Sequence, residues 1–357
     1  MLKRAAALLL VCASAATWTS CGSNLNNYVY AAIPASSQIV VFREDPNSGV
    51  LTRLSTSPIS AGPGVQALVI HPSKKYVYAV NSAENDISLY TVNSGTLVET
   101  GPRTSVLPAT GPNLVAMDSA GSYLYVGDAG SGTVSVFSIA SDGSLSEVLN
   151  SPFNTGITAL NLALSPSGNV LYVTGTQGSL GQVEAFSINA GVLGAPLANS
   201  PYLTGSNPNG LVINSAGNFL YTANSAPDNS ISQFTINSDG SLGPATIIGG
   251  GGLLSPSALF IDKSGKFLYV ADDNSTGSVI AYSIGSDGGL TLLTTFTFGT
   301  GPNPNEIAGD PSGNYLFVGN QSTPTIQSFN LNTSSGALTS VGTYPVTGTP
   351  TSIVVLH

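Results

Sequence analysis

Few side chains of this 357-residue sequence can carry acid–base or metal chemistry, because only 8% of the residues are charged. Glu306 is the one candidate for a catalytic residue. It acts as a general base if burial raises its pKa, and otherwise it is a solvated carboxylate. Asp272, Asp273 and Asn274 offer oxygen ligands that suit Ca²⁺, but no spaced calcium-loop motif accompanies them. We therefore predict no metal site.

Nucleophile and zinc chemistry lack the residues that they need. A Ser-His-Asp triad requires a placed histidine, and the sequence has two histidines, His71 and His357. His71 lies in the segment IHPSKKY, which is typical of a turn, and His357 is the last residue. No cysteine follows Cys21, which argues against a disulfide, a thiolate nucleophile or a cysteine zinc site in the domain after it. No cofactor is expected.

The first residues have the pattern of an export signal. Lys3 and Arg4 precede an apolar run of about twelve residues, which is too short to span a bilayer. Small residues and Cys21 follow. Residues 1–20 are therefore predicted to be a lipoprotein-type signal peptide with lipidation of Cys21, and residues 21–26 a short tether. The alternative is a soluble secreted form. Both predict a protein of the bacterial cell envelope or exterior, and the anchored form lies on the outer membrane or faces the periplasm.

The charge balance of the chain is acidic. It has 18 Asp and Glu against 9 Lys and Arg, for a formal net charge of −9. Such a surface offers no electrostatic footprint for nucleic acid or for an anionic membrane. We therefore expect no nucleic-acid partner, membrane contact only through the lipid on Cys21, and a monomer. The ligand is then a small molecule, a glycan or a protein.

Three short signatures each occur seven times and identify a repeat protein. The first is an apolar run whose second aromatic residue recurs every 47 to 49 residues, at Tyr30, Tyr78, Tyr125, Tyr172, Tyr221, Tyr269 and Phe317. The second is Val or Ile, two residues, then an aromatic residue, from IVVF at 39–42 to IQSF at 326–329. The third is Gly-x-Leu, beginning at Gly49, Gly95, Gly143, Gly191, Gly240, Gly288 and Gly336. One unit of about 48 residues therefore repeats along the chain.

Each unit is predicted to contain four short β-strands. Runs of branched and aromatic residues alternate with Gly, Asn, Asp and Pro, and Asx-Gly turns such as SDGSL join the third strand to the fourth. Seven such units predict an all-β fold, a seven-bladed β-propeller over residues 27–357. The first unit begins at its second strand, NYVYAA, and the chain ends in GTPTSIVVLH, which has the pattern of a first strand. We therefore expect the C-terminal strand to join the first blade and close the ring.

Polar residues occupy two columns when the seven units are aligned. Near the start of the first strand, the polar column contains Gln66, Asn113, Leu160, Asn209, Ser257, Asn305 and Thr351, and the following position includes Asn161 and Glu306. At the end of the second strand, the Asx column contains Ile33, Asn81, Asp128, Gly175, Asn224, Asp272 and Asn320. Both columns approach one rim of the central channel. We therefore predict a neutral ligand-binding bowl made by Gln66, Asn113, Asn161, Asn209, Asn305, Glu306, Asp128, Asn224, Asp272 and Asn320. The alternative for the Asx column is that its side chains bond nearby backbone amides in turns.

The segments HPSKKYVYAVN, SPSGNVLYVTG, DKSGKFLYVADDN and DPSGNYLFVGN resemble the repeats of the seven-bladed propeller lactonase family, which is related to 6-phosphogluconolactonase, and of the kindred YVTN-repeat surface proteins. The resemblance covers residues 27–357. It implies a lactonase whose channel residues, such as His, Arg and Glu, hold an anionic substrate and move a proton. Of such a set, only Glu306 has a comparable place in this sequence.

Two functions from different classes follow. A phosphorylated sugar lactone needs cations, ideally arginine, to bind its phosphate, and Arg43, Arg53 and Arg103 all fall outside the first strands. We therefore favour a non-catalytic, lipid-anchored propeller that binds a neutral small ligand, a glycan or a protein at the channel mouth. The alternative is a lactonase-like hydrolase, related to 6-phosphogluconolactonase and acting on a sugar or other lactone. It would use Glu306 and the ring of asparagines.

Overall fold

The computed structural model describes residues 27–357 apart from the side chains of residues 294–297, and these residues form seven antiparallel sheets. The all-β fold with seven blades, which was predicted from the repeats, is confirmed. The predicted signal peptide, the tether and the lipidation site at Cys21 lie outside the described residues. Within residues 27–357, no helix has the length and apolar character needed to cross a membrane.

Each blade has an inner strand beside the channel, a second strand, a third strand and an outer strand. In blades 1 to 4, the outer strand is split into two short pieces that both pair with the third strand. Blade 1 contains β1 (Asn27–Ile33), β2 (Gln38–Glu44), β3 (Leu51–Arg53) and β4 (Ile59–Ser60), with a 3₁₀ turn at Pro34–Ser36. Blade 2 contains β5 (Val65–Ile70), β6 (Tyr76–Asn81), β7 (Asp86–Asn93), β8 (Thr96–Glu99) and β9 (Thr104–Ser105).

The next two blades repeat this arrangement. Blade 3 contains β10 (Pro112–Met117), β11 (Tyr123–Asp128), β12 (Thr133–Ile139), β13 (Leu145–Glu147) and β14 (Phe153–Asn154). Blade 4 contains β15 (Thr158–Leu164), β16 (Val170–Gln177), β17 (Leu180–Asn189), β18 (Val192–Pro196) and β19 (Tyr202–Leu203).

The last three blades have an undivided outer strand. Blade 5 contains β20 (Pro208–Ile213), β21 (Phe219–Asn224), β22 (Ser230–Thr235) and β23 (Thr246–Gly249). Blade 6 contains β24 (Pro256–Ile261), β25 (Phe267–Asp272), β26 (Ser278–Ile284) and β27 (Leu290–Gly299). Blade 7 contains β28 (Pro304–Gly309), β29 (Tyr315–Asn320), β30 (Thr325–Leu331) and β31 (Leu338–Pro345). The final strand is β32 (Ser352–Leu356).

The ring closes through this final strand. β32 pairs antiparallel with β1 along five residue pairs, from Tyr28 opposite Leu356 to Ala32 opposite Ser352. β32 is thus the inner strand of blade 1, as the sequence predicted. Pairing with β32 covers the edge that β1 would otherwise present.

The hydrophobic core is divided among the blade interfaces. Seven clusters of buried apolar side chains lie between successive blades of the described chain, and the seventh joins blade 7 to blade 1. One sheet alone cannot bury both of its faces, so each blade depends on its two neighbours for this burial.

A tyrosine hydrogen bond crosses most of these interfaces. The hydroxyl groups of Tyr30, Tyr78, Tyr172, Tyr221 and Tyr269 donate at 2.7–3.0 Å to the carbonyl oxygens of Gly95, Gly143, Gly240, Gly288 and Gly336. Each acceptor is the glycine of the Gly-x-Leu signature in the following blade. Two of the repeated signatures therefore form one contact, which the sequence does not reveal.

The glycine of this contact is required for two reasons. Gly95 has a φ of +80°, and a Cβ atom built on it would lie 2.1 Å from the ring of Tyr28. Most residue types avoid positive φ, and the ring leaves no room for a side chain. Blade 7 has Phe317 in the tyrosine position, and there Ser328 Oγ donates instead to Gly49 O at 2.7 Å.

Six inner strands contain a β-bulge at the same place. The register of blades 2 to 7 skips one residue near the start of the strand, and the skipped residues are Gln66, Asn113, Leu160, Asn209, Ser257 and Asn305. These are six of the seven members of the polar column, all except Thr351. A bulge frees a residue from the ladder and redirects its side chain, so the bulges position this column.

Candidate functional site

Most side chains of the polar column bond to the following blade or to their own blade. Ser257 Oγ donates to Pro304 O at 3.0 Å, Asn305 Nδ2 to Pro350 O at 2.8 Å, and Thr351 Oγ1 to Gln66 O at 2.7 Å. In each case the acceptor lies in the next inner strand or just before it. Within their own blades, Gln66 and Asn209 donate to Ser82 at 3.4 Å and Ser225 at 3.2 Å. Several side chains that were predicted to form the bowl, among them Gln66, Asn209 and Asn305, therefore connect strands.

A cavity of about 250 Å³ lies among the inner strands of blades 7, 1, 2, 3 and 4. We call it the channel cavity. Its polar lining comes from Glu306, Asn113, Asn161, Thr351 and Ser352, and its apolar lining includes Leu68, Leu114, Leu162 and Ile353. A concave apolar site with a few convergent polar groups is the usual form of a small-molecule site. Three of the residues predicted for the bowl, Asn113, Asn161 and Glu306, meet here.

Glu306 is the one ionisable residue in the cavity lining. It occupies the inner strand of blade 7, opposite Gly319 of the second strand, and its side chain is partly accessible from the cavity. Burial among the inner strands raises the pKa of Glu306 to about 8, and a hydrogen bond from the N–H of Ile353 offsets part of this rise. Near neutral pH the carboxyl group can therefore exchange a proton.

The side chain of Asn113 makes no hydrogen bond within the described part of the protein. Its Oδ1 is buried without a hydrogen-bond partner among the described residues. The side chain of Asn161, by contrast, is used at both ends: Nδ2 donates to Asn209 O at 2.9 Å, and Oδ1 accepts the N–H of Leu162 at 2.8 Å. Asn113 is thus the amide of the cavity that is left for a ligand.

The Asx column lies at the same end of the blades but inside them. Asp128, Asn224, Asp272 and Asn320 have no exposed surface. Asn224 Nδ2 donates to Ser232 Oγ at 2.8 Å, and Asn320 Nδ2 to Thr325 Oγ1 at 3.0 Å. Asn224 and Asn320 thus connect the second strand to the third, and none of the four residues lines the channel cavity.

Asp272, one of the two adjacent aspartates, supports the chain that enters its own blade. Its Oδ1 accepts the N–H groups of Leu254 and Ser255 at 2.9 and 2.7 Å, and its Oδ2 accepts Asn274 Nδ2 at 2.7 Å. This is the turn-stabilising alternative that the sequence left open. In the part of the chain that the structure describes, no three His, Cys, Asp or Glu side chains form a group suited to a metal ion.

Asp128 stands where three sister blades have asparagine, at Asn81, Asn224 and Asn320. Its Oδ2 accepts the hydroxyl groups of Ser135 at 2.8 Å and Thr133 at 3.2 Å, while Oδ1 has no partner. Burial raises the pKa of Asp128 to about 7, although the hydrogen bonds from the two hydroxyl groups oppose the rise. An ionised Asp128 is therefore a cost to the folded state.

Asp128→Asn is expected to stabilise the protein at pH 8 and to change stability little at pH 4. The folded protein holds the proton up to about pH 7 and the unfolded chain releases it near 3.8, so the stability that the proton provides is lost between those pH values. The difference between these two pKa values limits the gain at pH 8 to about 4 kcal/mol. Asparagine fits the site because it can donate to Ser135, as Asn224 donates to Ser232. Urea unfolding at both pH values measures it.

Asp272→Asn is the matched control for this prediction. Its new amide group would face the Asn274 donor, and its remaining oxygen would lose the charge that attracts two backbone N–H groups, so this variant is expected to be less stable. An Asp128→Asn variant as unstable as Asp272→Asn at pH 8 would contradict the account. Glu44, whose pKa burial raises to about 7, stays in both variants, so part of the pH dependence persists.

The cations lie away from the cavity, as the sequence predicted for the arginines. Arg43 and Arg53 are exposed, and Arg103 binds Glu84 and Glu99, each at 2.7 Å. His71 is held by Ser73 and by the carbonyl of Gly121 at 2.8 and 2.9 Å, which fits its interpretation as a turn residue. None of these side chains belongs to the lining of the channel cavity.

Sequence reasoning missed the contribution of Ser352 to the cavity. Ser352 follows Thr351, the polar-column member of blade 1, and aligns with Asn161 and Glu306. Its Oγ accepts the N–H of Leu68 at 3.1 Å. The alignment that singled out Glu306 could have identified it, but serine is so common in this chain that its type carried no signal.

Comparisons with known proteins agree with this architecture. The model of the family described as lactonase, 7-bladed beta-propeller, matches residues 28–156, 158–249 and 249–355. A 6-phosphogluconolactonase of Cronobacter sakazakii is 36% identical over 110 residues, which are 30% of this chain and 31% of that protein. The match thus spans about a third of the length of this relative.

Solved structures show the same fold. A protein of Bacteroides fragilis has a TM-score of 0.78 at 21% identity, with 94% of this chain and 99% of that chain covered. The periplasmic gluconolactonase of Pseudomonas aeruginosa has a TM-score of 0.73 at 19% identity, with 93% and 99% covered. The family model spans nearly all of residues 28–355, and the chain therefore belongs to the seven-bladed β-propeller lactonase family.

Proposed function

We propose that this protein hydrolyses a neutral lactone in the channel cavity, with Glu306 as the general base. This favours the hydrolase over the non-catalytic binding protein that the sequence alone favoured. The observation that carries the proposal is Glu306 itself. It is a carboxyl group in the lining of a small cavity, and burial brings its pKa to about 8. Family membership supports the same reading, although one fold hosts many functions.

The reaction needs one proton acceptor and one water molecule. The Glu306 carboxylate takes a proton from water as the water oxygen attacks the carbonyl carbon of the lactone. The bond between that carbon and the ring oxygen then breaks. The ring oxygen receives the proton, and the product is the open hydroxy acid. A general base placed in this way contributes about 10²–10⁴-fold to the rate.

The cavity favours an uncharged substrate. A phosphate group bound out of water needs Arg or Lys beside it, and the cavity lining contains neither. Its polar groups are the carboxyl group of Glu306, the amides of Asn113 and Asn161, and the hydroxyl groups of Thr351 and Ser352. These suit the hydroxyl and carbonyl groups of a neutral lactone.

Glucono-δ-lactone and its 6-phosphate form a matched pair of substrates for the test, with δ-valerolactone as a minimal lactone. Proton release is followed with a pH indicator and corrected for spontaneous hydrolysis. We expect hydrolysis of the neutral sugar lactone with a kcat/KM at least about tenfold above that of the phosphate. Rates equal to the buffer blank for all three would overturn the proposal. A preference for the phosphate would overturn its neutral-substrate part.

The proposal extends to the location of the protein. A lipid on Cys21 would tether a monomer outside the cytoplasm, and the charged, apolar and small-residue segments before Cys21 support this. Mass spectrometry of the mature N-terminal peptide is the check. A diacylglyceryl adduct on Cys21 is expected, and an unmodified Cys21 in the mature chain would contradict the anchor.

A further inference from the structure

The blade 3 side of the channel cavity carries two hydrogen-bond donors that have no acceptor among residues 27–357. One is the side-chain amide of Asn113 and the other is the backbone N–H of Val115. Both residues belong to the lining that also contains Glu306. The position of these donors follows from the way the inner strands repeat.

Backbone N–H groups at one register position of the inner strands point toward the channel. The N–H of Leu68 donates to Ser352 Oγ at 3.1 Å, and the N–H of Leu162 donates to Asn161 Oδ1 at 2.8 Å. Ile353, at the same position in blade 1, donates its N–H to Glu306. In two of these three cases the acceptor is the side chain one position earlier in the preceding blade.

Val115 has the same position in blade 3 but no such acceptor. The side chain that should receive its N–H belongs to Ala67 in blade 2, and alanine has no polar atom. The series of contacts thus runs from Glu306 and Ile353, through Ser352 and Leu68, to Val115. The N–H of Val115 is the member of this series that has no acceptor among the described residues. The N–H of Val115 is therefore left to a ligand in the cavity.

Asn113 provides the second donor two residues earlier. Its Oδ1 is buried and unpartnered among residues 27–357, and its Nδ2 has no acceptor there either, so this amide keeps its donor in a residue that lines the cavity. Other polar side chains at the equivalent bulge, such as Asn305 and Ser257, donate to the next inner strand. Asn113 makes no hydrogen bond of this kind to the inner strand of blade 4.

We infer that Asn113 Nδ2 and the N–H of Val115 together bind the carbonyl oxygen of the substrate and stabilise the oxyanion that forms during hydrolysis. This rests on the proposed function and adds the site for the developing charge. When water attacks the carbonyl carbon, the π electron pair of the carbonyl bond moves onto the carbonyl oxygen. Asn113 Nδ2 and the N–H of Val115 then both donate to that oxygen. The pair returns as the ring C–O bond breaks. Such donors act most strongly in a site that excludes water.

Ala67→Ser tests the role of the Val115 N–H without changing Val115. The new hydroxyl oxygen would accept this N–H, as Ser352 accepts that of Leu68, and we expect kcat to fall about 10²-fold. Ala258→Ser is the matched control, because it adds the same hydroxyl group beside Ile307, which is outside the cavity lining. Asn113→Ala removes the other donor and should cost a similar factor. Thermal unfolding checks that each variant is folded.

A second readout keeps this inference separate from the proposed function. The probe is δ-valerolactam, a cyclic amide with the same carbonyl position, and its binding is measured by ligand-observed NMR. We expect wild type and Ala258→Ser to bind it and Ala67→Ser and Asn113→Ala to bind it at least about tenfold more weakly.

Each combination of results decides one question. Wild-type hydrolysis that is unchanged in folded Ala67→Ser and Asn113→Ala overturns the donor pair and leaves the proposed function standing. Lactam binding that both variants lose, without hydrolysis by wild type, supports the donor pair and overturns the hydrolase. Absence of both hydrolysis and lactam binding in wild type overturns both.

Discussion

Glu306→Gln is expected to lower kcat/KM for neutral lactones by about 10²–10⁴-fold. Glutamine keeps the size of the side chain and can still accept the N–H of Ile353 through its amide oxygen. It cannot take a proton from water. Loss of activity with unchanged folding would therefore report the proton transfer itself.

The pH profile of the wild-type enzyme carries the same information. A general base works in its ionised form, and the pKa of Glu306 is about 8. We therefore expect kcat/KM to rise about tenfold per pH unit below pH 8 and to level off above it. The residual activity of Glu306→Gln should lack this rise. Spontaneous lactone hydrolysis must be subtracted at each pH, because hydroxide attacks lactones directly.

Glu184→Gln is the control for a change of charge. Glu184 is also buried, but it lies on the third strand of blade 4, where Ser200 Oγ donates to it at 2.6 Å. It is not part of the cavity lining, so its replacement should leave kcat unchanged. Equal rates for wild type and a folded Glu306→Gln would remove Glu306 from the mechanism.

Deletion of residues 352–357 is expected to abolish cooperative folding at 25 °C. The deletion removes β32, the inner strand of blade 1, and with it the five residue pairs that close the ring. Ile353 and Leu356 are only 3% and 7% exposed, and burial of these two side chains alone accounts for about 3–6 kcal/mol. A protein of this kind has a total stability of about 5–15 kcal/mol.

The cost extends beyond the lost strand. Without Ile353, the apolar cluster between blades 7 and 1 opens around Val29, Ala31 and Phe317, and β1 gains an unpaired edge. Circular dichroism and urea unfolding measure the result. We expect no cooperative transition from the shortened chain, and a tendency to aggregate.

Deletion of His357 alone is the matched control. It keeps β32 and removes the hydrogen bond from His357 to Asn27 Oδ1 at 2.6 Å, so the melting temperature should fall by only a few degrees. A synthetic peptide of residues 348–357 should restore folding of the shortened chain by pairing with β1. A shortened chain that melts with the cooperativity of the full chain would contradict this account of closure.

The fold could be predicted from the sequence because the same pattern of strands and turns occurs seven times. The aromatic positions from Tyr30 to Phe317 and the Gly-x-Leu signature locate the second and fourth strands of each blade. The C-terminal first-strand pattern predicts closure. These features depend on local strand and turn preferences and on the spacing between copies, and the structure confirms them.

The candidate site could be predicted only in part. Alignment of the repeats brings Asn113, Asn161 and Glu306 to one end of the inner strands, and these three line the channel cavity. The same alignment treats Asn305 and Asn224 as equivalent candidates, yet Asn305 joins two blades and Asn224 is buried within one. Side-chain direction at a bulge or a strand end depends on the neighbouring blade, which the repeat pattern does not contain.

The sequence by itself determined the number of blades, the strand order and the residue types available for chemistry, because each of these is encoded locally in every copy. The tertiary structure decided which polar groups are already paired. It brings the tyrosine of one blade to the glycine of the next, and it buries Asp128 while it keeps Glu306 at the cavity. It also leaves Asn113 without a partner. Whether a polar group is free for a ligand depends on contacts between neighbouring blades, some of which come from opposite ends of the described chain. Only the closed propeller brings those segments together.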